Sequence, residues 1–470
     1  MRLFRSKGSR VALALACGAA AVLGWFLVGC GRIAAGYAAT ITALQVFGSG
    51  DTLETVRAER LALPFGLGPA LSVSVDPRSH EARASFLGLI ERRARWRPGL
   101  GATRVPESGS LAPEALPDLL PPLSDLEPWP RGESPELAPL PPEIRSALEA
   151  VIERAFVEPT SGLALGTHAV VVVHDGRLVA ERYRPGYDRR TPLLGWSLTK
   201  SVMATLFARL VLSGRVAGVE ERAAVPEWSV TGDPRGAIRY DQLLRMTSGL
   251  SFHADYTSPR CDSLRMLFAS SDAAAFAAAK ELAHAPGEVW SYSDGTSNVL
   301  ARCVRSLCAE SVEEQRLFPQ RELFLPLSMS SAVISVDATG NWIGSSLMQA
   351  SARDWARFGW LYAADGMFEG QRVLPAGWVD YVARATPQSP QGCYGAHFWR
   401  YDGESGRHRS GAPFPLNLAG LIYAAGHDGQ YLWIDRARRI VLVRLGAAGA
   451  RPFDADAFAS AAIAALTGER

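Results

Sequence analysis

Lysine is nearly absent from this chain. Of its 49 basic residues only Lys7, Lys200 and Lys280 are lysines, so positive charge is carried almost entirely by arginine. Arginine stays protonated in proteins, whereas a buried lysine can give up its proton. A lysine at a chemically special place therefore signals work that arginine cannot do. Net charge is also scarce: +2 over 470 residues, with no basic run beyond the first ten, gives no electrostatic footprint for nucleic acid. The eight histidines show no metal-ligand spacing and the six cysteines no Cys-x-x-Cys pair. No metal and no cofactor are expected on that basis. Repeats and low-complexity tracts are missing too. With 48% hydrophobic and 20% charged residues, what is left is a globular protein with a large core.

Residues 1–30 read as a signal peptide or membrane anchor. Arg2, Arg5, Lys7 and Arg10 precede the uncharged apolar stretch Val11 to Gly29, a charged region followed by a membrane-active one. The stretch ends Leu27-Val28-Gly29-Cys30, which resembles the lipobox of bacterial lipoproteins, with Cys30 as the lipid attachment point; an uncleaved anchor is the other reading. Both predict a periplasmic or otherwise extracytoplasmic protein of the bacterial envelope, tethered to the membrane by its N-terminus. There Cys261, Cys303, Cys308 and Cys393 allow three disulfide connectivities, with free buried thiols as the alternative. Residues 31–141 form an N-terminal extension. Leu71 to Val75 and Ala82 to Phe86 predict a hairpin in it. It ends in a strap, residues 106–142, that holds 11 of the 30 prolines and marks a domain boundary.

From Pro142 onward the pattern changes. Ile144, Leu148, Val151, Ile152 and Phe156 recur at helical spacing behind a proline. His168 to Val173 and Leu178 to Tyr183 predict strands joined by Asp175-Gly176. A helix begins near Ser197, and residues 205–360 read as mainly helical, including the Ala-rich Ala273 to Ala283. Strands return at Tyr431 to Ile434 and Ile440 to Leu445, and a helix over Ala455 to Leu466 closes the chain. This order predicts an α+β domain over 142–470, an antiparallel sheet flanked by helices with a mostly helical second lobe.

Chemistry concentrates in Gly195-Trp196-Ser197-Leu198-Thr199-Lys200. Ser197 and Lys200 are three apart and share a helical face, at a helix start where unpaired N–H groups gather. Alone, Ser-x-x-Lys is more often a capped buried helix than a nucleophile. Tyr292 alone is more often a core tyrosine, and Asp428-Gly429 alone is a turn. Taken together and in order, Ser-x-x-Lys, Tyr292-Ser293-Asp294 and His427-Asp428-Gly429 resemble the three motifs of the serine β-lactamase and penicillin-binding protein superfamily. Their spacing is similar to that of the class C branch and its esterase relatives. Ile238 to Leu250 and Ala352 to Gly359 resemble flanking blocks of β-lactamase-related serine hydrolases of the 6-aminohexanoate-dimer-hydrolase type. The resemblance spans about 142–470.

It implies Ser197 as nucleophile, Lys200 as a neutral or proton-sharing base, and Tyr292 as proton relay. It also implies an oxyanion hole from the backbone N–H groups of Ser197 and Gln430. His427, Gly429, Asp294 and Tyr256 would line the substrate site. Two departures point away from β-lactams: Asp294 stands where the family has asparagine, and His427 replaces a lysine. The expected activity is hydrolysis of a small ester, amide or peptide-like substrate through a Ser197 acyl-enzyme. A cell-wall D-amino-acid peptidase, transpeptidase or β-lactamase is the alternative enzyme. A catalytically silent ligand-binding protein of the envelope is the alternative from another class.

Overall fold

Ala169 to Val173 is an alanine and four valines with no polar alternation, which suits a strand covered on both faces. In the computed structural model it lies within Thr167–His174, the fifth strand of a six-stranded antiparallel sheet. The strand order is Trp399–Arg400, Ile422–Gly426, Gln430–Asp435, Ile440–Gly446, Thr167–His174, Arg177–Tyr183. Val170 and Val172 pack with the helices Pro142–Phe156 and Ala455–Thr467; Val171 and Val173 face the larger core that contains the helix Ala352–Ala363. Asp175 and Gly176 turn the last hairpin with φ of 49° and 74°, the left-handed pair that matches strand twist. The structure describes residues 27–469 except 62–67, 108–110, 112–114, 118, 158–164, 257, 259, 402–417, 419 and 450–452.

The expected α+β architecture is present. The helical lobe is built around Leu198–Leu212 and Asp294–Cys308. A three-stranded sheet of Leu193–Leu194, Met348–Ala350 and Val333–Ile334 lies just upstream of the first of these helices. The Ala-rich helix is shorter than its composition suggests. It spans Ala273–Ala278, capped by Asp272, and then the chain leaves helical geometry so that Leu282 can bridge to Leu250. Lys280 is drawn aside to Asp262, 2.7 Å away. Tertiary pairing overrides propensity here.

The N-terminal extension does not stand apart. The predicted hairpin is there and continues into a four-stranded meander, Leu71–Asp76, Glu81–Phe86, Ile90–Arg97 and Gly101–Arg104. A helix runs over Leu27–Ser49. Its small residues Ala34, Ala35, Ala38 and Ala39 lie in the same core as the Leu198–Leu212 helix. A Cβ on Gly36 would sit 2.0 Å from the Phe268 carbonyl oxygen, so the two backbones meet there. This helix is long and apolar enough to cross a membrane, yet 61% of its apolar window is buried inside the protein. The apolar segment read from the sequence is a different one: its residues 11–26 lie outside the described residues, and only its last three begin the helix.

Described residues between 105 and 141 carry no helix or strand, as expected of the Pro-rich strap. The strap is pinned, however. Glu133 is buried between Arg353 and Arg357, at 2.9 and 2.8 Å, and Arg357 also donates to the carbonyls of Pro130 and Gly132. Among the described residues, no disulfide joins Cys30, Cys261, Cys303, Cys308 or Cys393.

Candidate active site

Ser197 caps the Leu198–Leu212 helix, and Trp196 before it takes the left-handed conformation with φ of 49°. That conformation costs free energy for a bulky residue and persists only where neighbours enforce it. Gly195 N–H donates to Met348 O at 2.9 Å, and Thr199 Oγ1 donates to Trp196 O at 2.7 Å. A Cβ at Gly195 would run into the Trp355 ring at 2.5 Å. A sharp, well-held turn thus delivers Ser197 to the helix start.

Lys200 is 1% exposed, and its ammonium meets three acceptors: Ser197 Oγ at 2.9 Å, Asp294 Oδ1 at 2.5 Å and Ser345 O at 2.9 Å. Three acceptors saturate an ammonium's three donors. Burial pushes the Lys200 pKa down, but the Asp294 charge, reinforced by the neighbouring Tyr292 phenol, raises it above the ordinary value. The adjacent Asp294 carboxylate thus favours the protonated form of Lys200.

Asp294 begins the Asp294–Cys308 helix, behind the Ser293 cap, and is 1% exposed. Burial pushes its pKa up, yet the Lys200 charge outweighs that and holds it below the ordinary carboxylate value. Its second oxygen accepts from the Tyr256 hydroxyl at 2.5 Å. Both oxygens are thus engaged within the protein. Asn298, one turn later, donates to Asp294 O and Ser345 Oγ at 2.9 Å each and accepts from Gly344 N–H at 3.0 Å. It holds the loop whose carbonyl binds Lys200.

Tyr292 is half-buried, with Lys200 Nζ 4.8 Å from its ring centroid. Trp399 stacks on the ring at 5.3 Å and Tyr394 meets it edge-on at 6.0 Å. A cavity beside this segment, about 330 Å³, is lined by Trp290, Ser291 and Ser293 but not by Ser197.

The third motif arrives from the six-stranded sheet. Gly426 pairs with Gln430 across the turn His427–Gly429. A Cβ on Gly426 would lie 2.3 Å from Gly195 O and 3.1 Å from Trp196 Cβ, so strand and nucleophile turn are in backbone contact. His427 is exposed at the rim; its ring meets Trp196 edge-on at 5.3 Å and lies roughly parallel to Tyr256 at 6.3 Å. Desolvation between these rings, with Arg60 nearby, lowers its pKa against the opposing pull of Asp428.

Gly429 has φ of +85°, in the left-handed region that favours glycine, and a Cβ there would lie 2.5 Å from Arg444 Nη1. The Gln430 side chain is buried and donates to the carbonyls of His427, Asp428 and Gly446.

The structure therefore brings Ser197, Lys200, Tyr292, Asp294 and Tyr256 into one network, with His427 in the turn and Gln430 on the strand beside it. Sequence reasoning missed Ser345, Asn298 and Arg60, which act through geometry and carry no motif. Among the described residues no cluster of three or more His, Cys, Asp or Glu is placed to hold a metal ion.

Three comparisons bear on this arrangement. The Beta-lactamase family profile matches residues 153–466. A 6-aminohexanoate-dimer hydrolase of Paenarthrobacter ureafaciens is 26% identical over 308 residues, 59% of this chain and 72% of that protein. Among solved structures, a Bacillus anthracis protein provisionally described as a 6-aminohexanoate-dimer hydrolase superposes with a TM-score of 0.50 at 22% identity, over 65% of this chain and 83% of its own. EstCE1, a hydrolase with promiscuous acyltransferase activity, gives 0.53 at 15% identity, over 69% and 98%.

Proposed function

Because this chain belongs to the Beta-lactamase family of hydrolases, we propose that it cleaves a carboxylic ester or amide through an acyl-enzyme on Ser197. The observation that carries this reading is the 2.9 Å bond from Lys200 Nζ to Ser197 Oγ beside Tyr292. Ser197 Oγ attacks the substrate carbonyl carbon. Its proton passes to the Tyr292 oxygen while the Tyr292 proton passes to the leaving alcohol or amine. Lys200 remains an ammonium and stabilises negative charge on both oxygens as they exchange protons. Water then repeats the relay in reverse and frees Ser197. The backbone N–H groups of Ser197 and Gln430 serve as the oxyanion hole; Gly426, the register partner of Gln430, lies against Gly195. Each such donor is typically worth about 3–4 kcal/mol of barrier.

His427 and Tyr256 form the rim of the substrate site in this reading. Asp294 offers no amide to a substrate carbonyl, because its oxygens hold Lys200 and Tyr256. That favours simple esters and amides over β-lactams. The protein works outside the cytoplasm, tethered through residues 11–29. A fluorophosphonate probe that labels the wild type and spares Ser197→Ala, with acyl adducts seen by intact mass on p-nitrophenyl esters, is the expected result. An unlabelled wild type overturns the reading in favour of a silent binding protein.

A further inference from the structure

The hairpin between Glu81–Phe86 and Ile90–Arg97 turns through Leu87-Gly88-Leu89. Leu87 has φ of 53° and Gly88 of 69°, and Leu89 N–H closes the turn on Phe86 O at 3.0 Å. This turn type wants asparagine or aspartate before the glycine. Instead a leucine occupies the left-handed position, and it is 57% exposed, with Leu89 at 84%. In water this choice is unfavourable twice over, in backbone strain and in apolar exposure. Such a conflict between local rules and sequence marks a site with another purpose.

Two further exposed apolar residues lie on the helix that packs against this hairpin. Leu27 and Val28 are each 41% exposed, at the start of the Leu27–Ser49 helix. At Gly31 that helix lies against the hairpin, since a Cβ there would be 2.7 Å from both Phe86 and Ile90 side chains. The uncharged stretch 11–29 therefore joins the described structure through the helix that packs on Phe86 and Ile90, the residues flanking the exposed leucines.

The strands behind the turn are basic. Arg83, Arg93 and Arg95 each pair with Glu81, at 3.0, 3.6 and 3.6 Å, and their side chains are 50%, 38% and 34% exposed. Arg92 is matched by Glu107. Arg32 is exposed on the first helix, and Glu91 is an exposed carboxylate near the tip.

We propose that Leu87 and Leu89, with Leu27 and Val28, dock in the interfacial layer of a lipid bilayer, with Arg83 and Arg93 at the level of anionic headgroups. The inference rests on the reading of residues 11–29 as a membrane tether and adds a second contact that fixes the body's orientation. It also sets the cleft near the bilayer. Tyr37, stacked against Trp196 at 6.5 Å, comes ten residues after Leu27, about 15 Å along a helix.

The test uses the full chain in vesicles of three parts phosphatidylcholine to one part phosphatidylglycerol, with an environment-sensitive fluorescent amino acid introduced at Leu89. The expected result is flotation with the vesicles, blue-shifted emission, and at least twofold quenching by lipids spin-labelled near the top of the acyl chain. Flotation with aqueous, unquenched emission overturns the docking proposal and leaves the tether standing. A blue shift without lipid quenching also overturns it, since another part of the chain then covers the leucines. A chain that does not float refutes the tether and this proposal together. As a second variant, Leu87→Ser combined with Leu89→Ser should float as before, and residues 81–95 should lose their vesicle-dependent protection from hydrogen exchange. Unchanged protection in that variant counts against the leucines.

Discussion

Arg60 and Asp428 form an ion pair across 368 positions of sequence. Arg60 belongs to the N-terminal region, and Asp428 sits between His427 and Gly429 in the turn beside the nucleophile. The same guanidinium donates to Gly446 O at 3.1 Å, and its own backbone carbonyl accepts from the Tyr37 hydroxyl at 3.2 Å. The left-handed Asp428, with φ of 65°, is thus held from outside the segment matched by the family profile.

Arg60→Ala should loosen that turn without removing any group that touches substrate. We expect kcat/KM on a p-nitrophenyl ester to fall about tenfold, or about 1.4 kcal/mol, while fluorophosphonate still labels Ser197. Unchanged kinetics would show that the turn holds itself.

The Lys200–Asp294 pair gives a pH signature. Asp294 has a folded pKa below its ordinary 3.8, so its contribution to stability is in place above pH 3.8 and is lost as pH falls through the folded value. Lys200 has a folded pKa above its ordinary 10.5, so its contribution is in place below pH 10.5 and is lost as pH rises through the folded value. Asp294→Asn leaves a buried ammonium without its carboxylate and should cost about 3–5 kcal/mol at pH 7. Denaturant titrations should show the gap between variant and wild type narrowing below pH 3.8. A gap that does not change with pH would mean the pair is not ionic.

Much of this was legible in the sequence, for identifiable reasons. The valine run, the Asp175-Gly176 turn and the closing helix are local signals that the tertiary structure respects. Ser197, Lys200 and Tyr292 were legible because their order and spacing form a pattern. The contact between Lys200 and Asp294 was not, although both residues were in view. A carboxylate in a motif says nothing of its direction until the helix that carries it is docked. Arg60, Asn298 and Ser345 were invisible for a related reason: each matters only through a contact distant in sequence. The membrane-length helix Leu27–Ser49 shows the limit of hydropathy, since alanines that fit a bilayer also fit a tight helix-to-core contact.

Gly426→Ala tests the contact between the sheet and the nucleophile turn. Its Cβ would press on Gly195 O at 2.3 Å, and both partners are backbone, so neither can swing aside. We expect ester turnover to drop at least tenfold, with destabilisation of about 1–3 kcal/mol from overpacking. Wild-type kinetics in this variant would place the strand farther from Ser197 than described above.

Gly36→Ala separates two views of the first helix, because they predict opposite signs. In a helix surrounded by water or lipid, replacing glycine with alanine stabilises by about 1 kcal/mol through backbone entropy. In the docked helix the new Cβ meets the Phe268 carbonyl oxygen at 2.0 Å, which only a backbone shift can relieve. Overpacking of that kind costs about 1–3 kcal/mol and outweighs the propensity gain. Tyr37, the next residue, stacks on Trp196 with planes 13° apart, so the shift should reach the residue before the nucleophile. The expected outcome is a lower Tm of the full chain together with a lower kcat. A raised Tm with unchanged kcat would show that the helix does not pack against Phe268, and that the N-terminal region contributes nothing to the shape of the cleft.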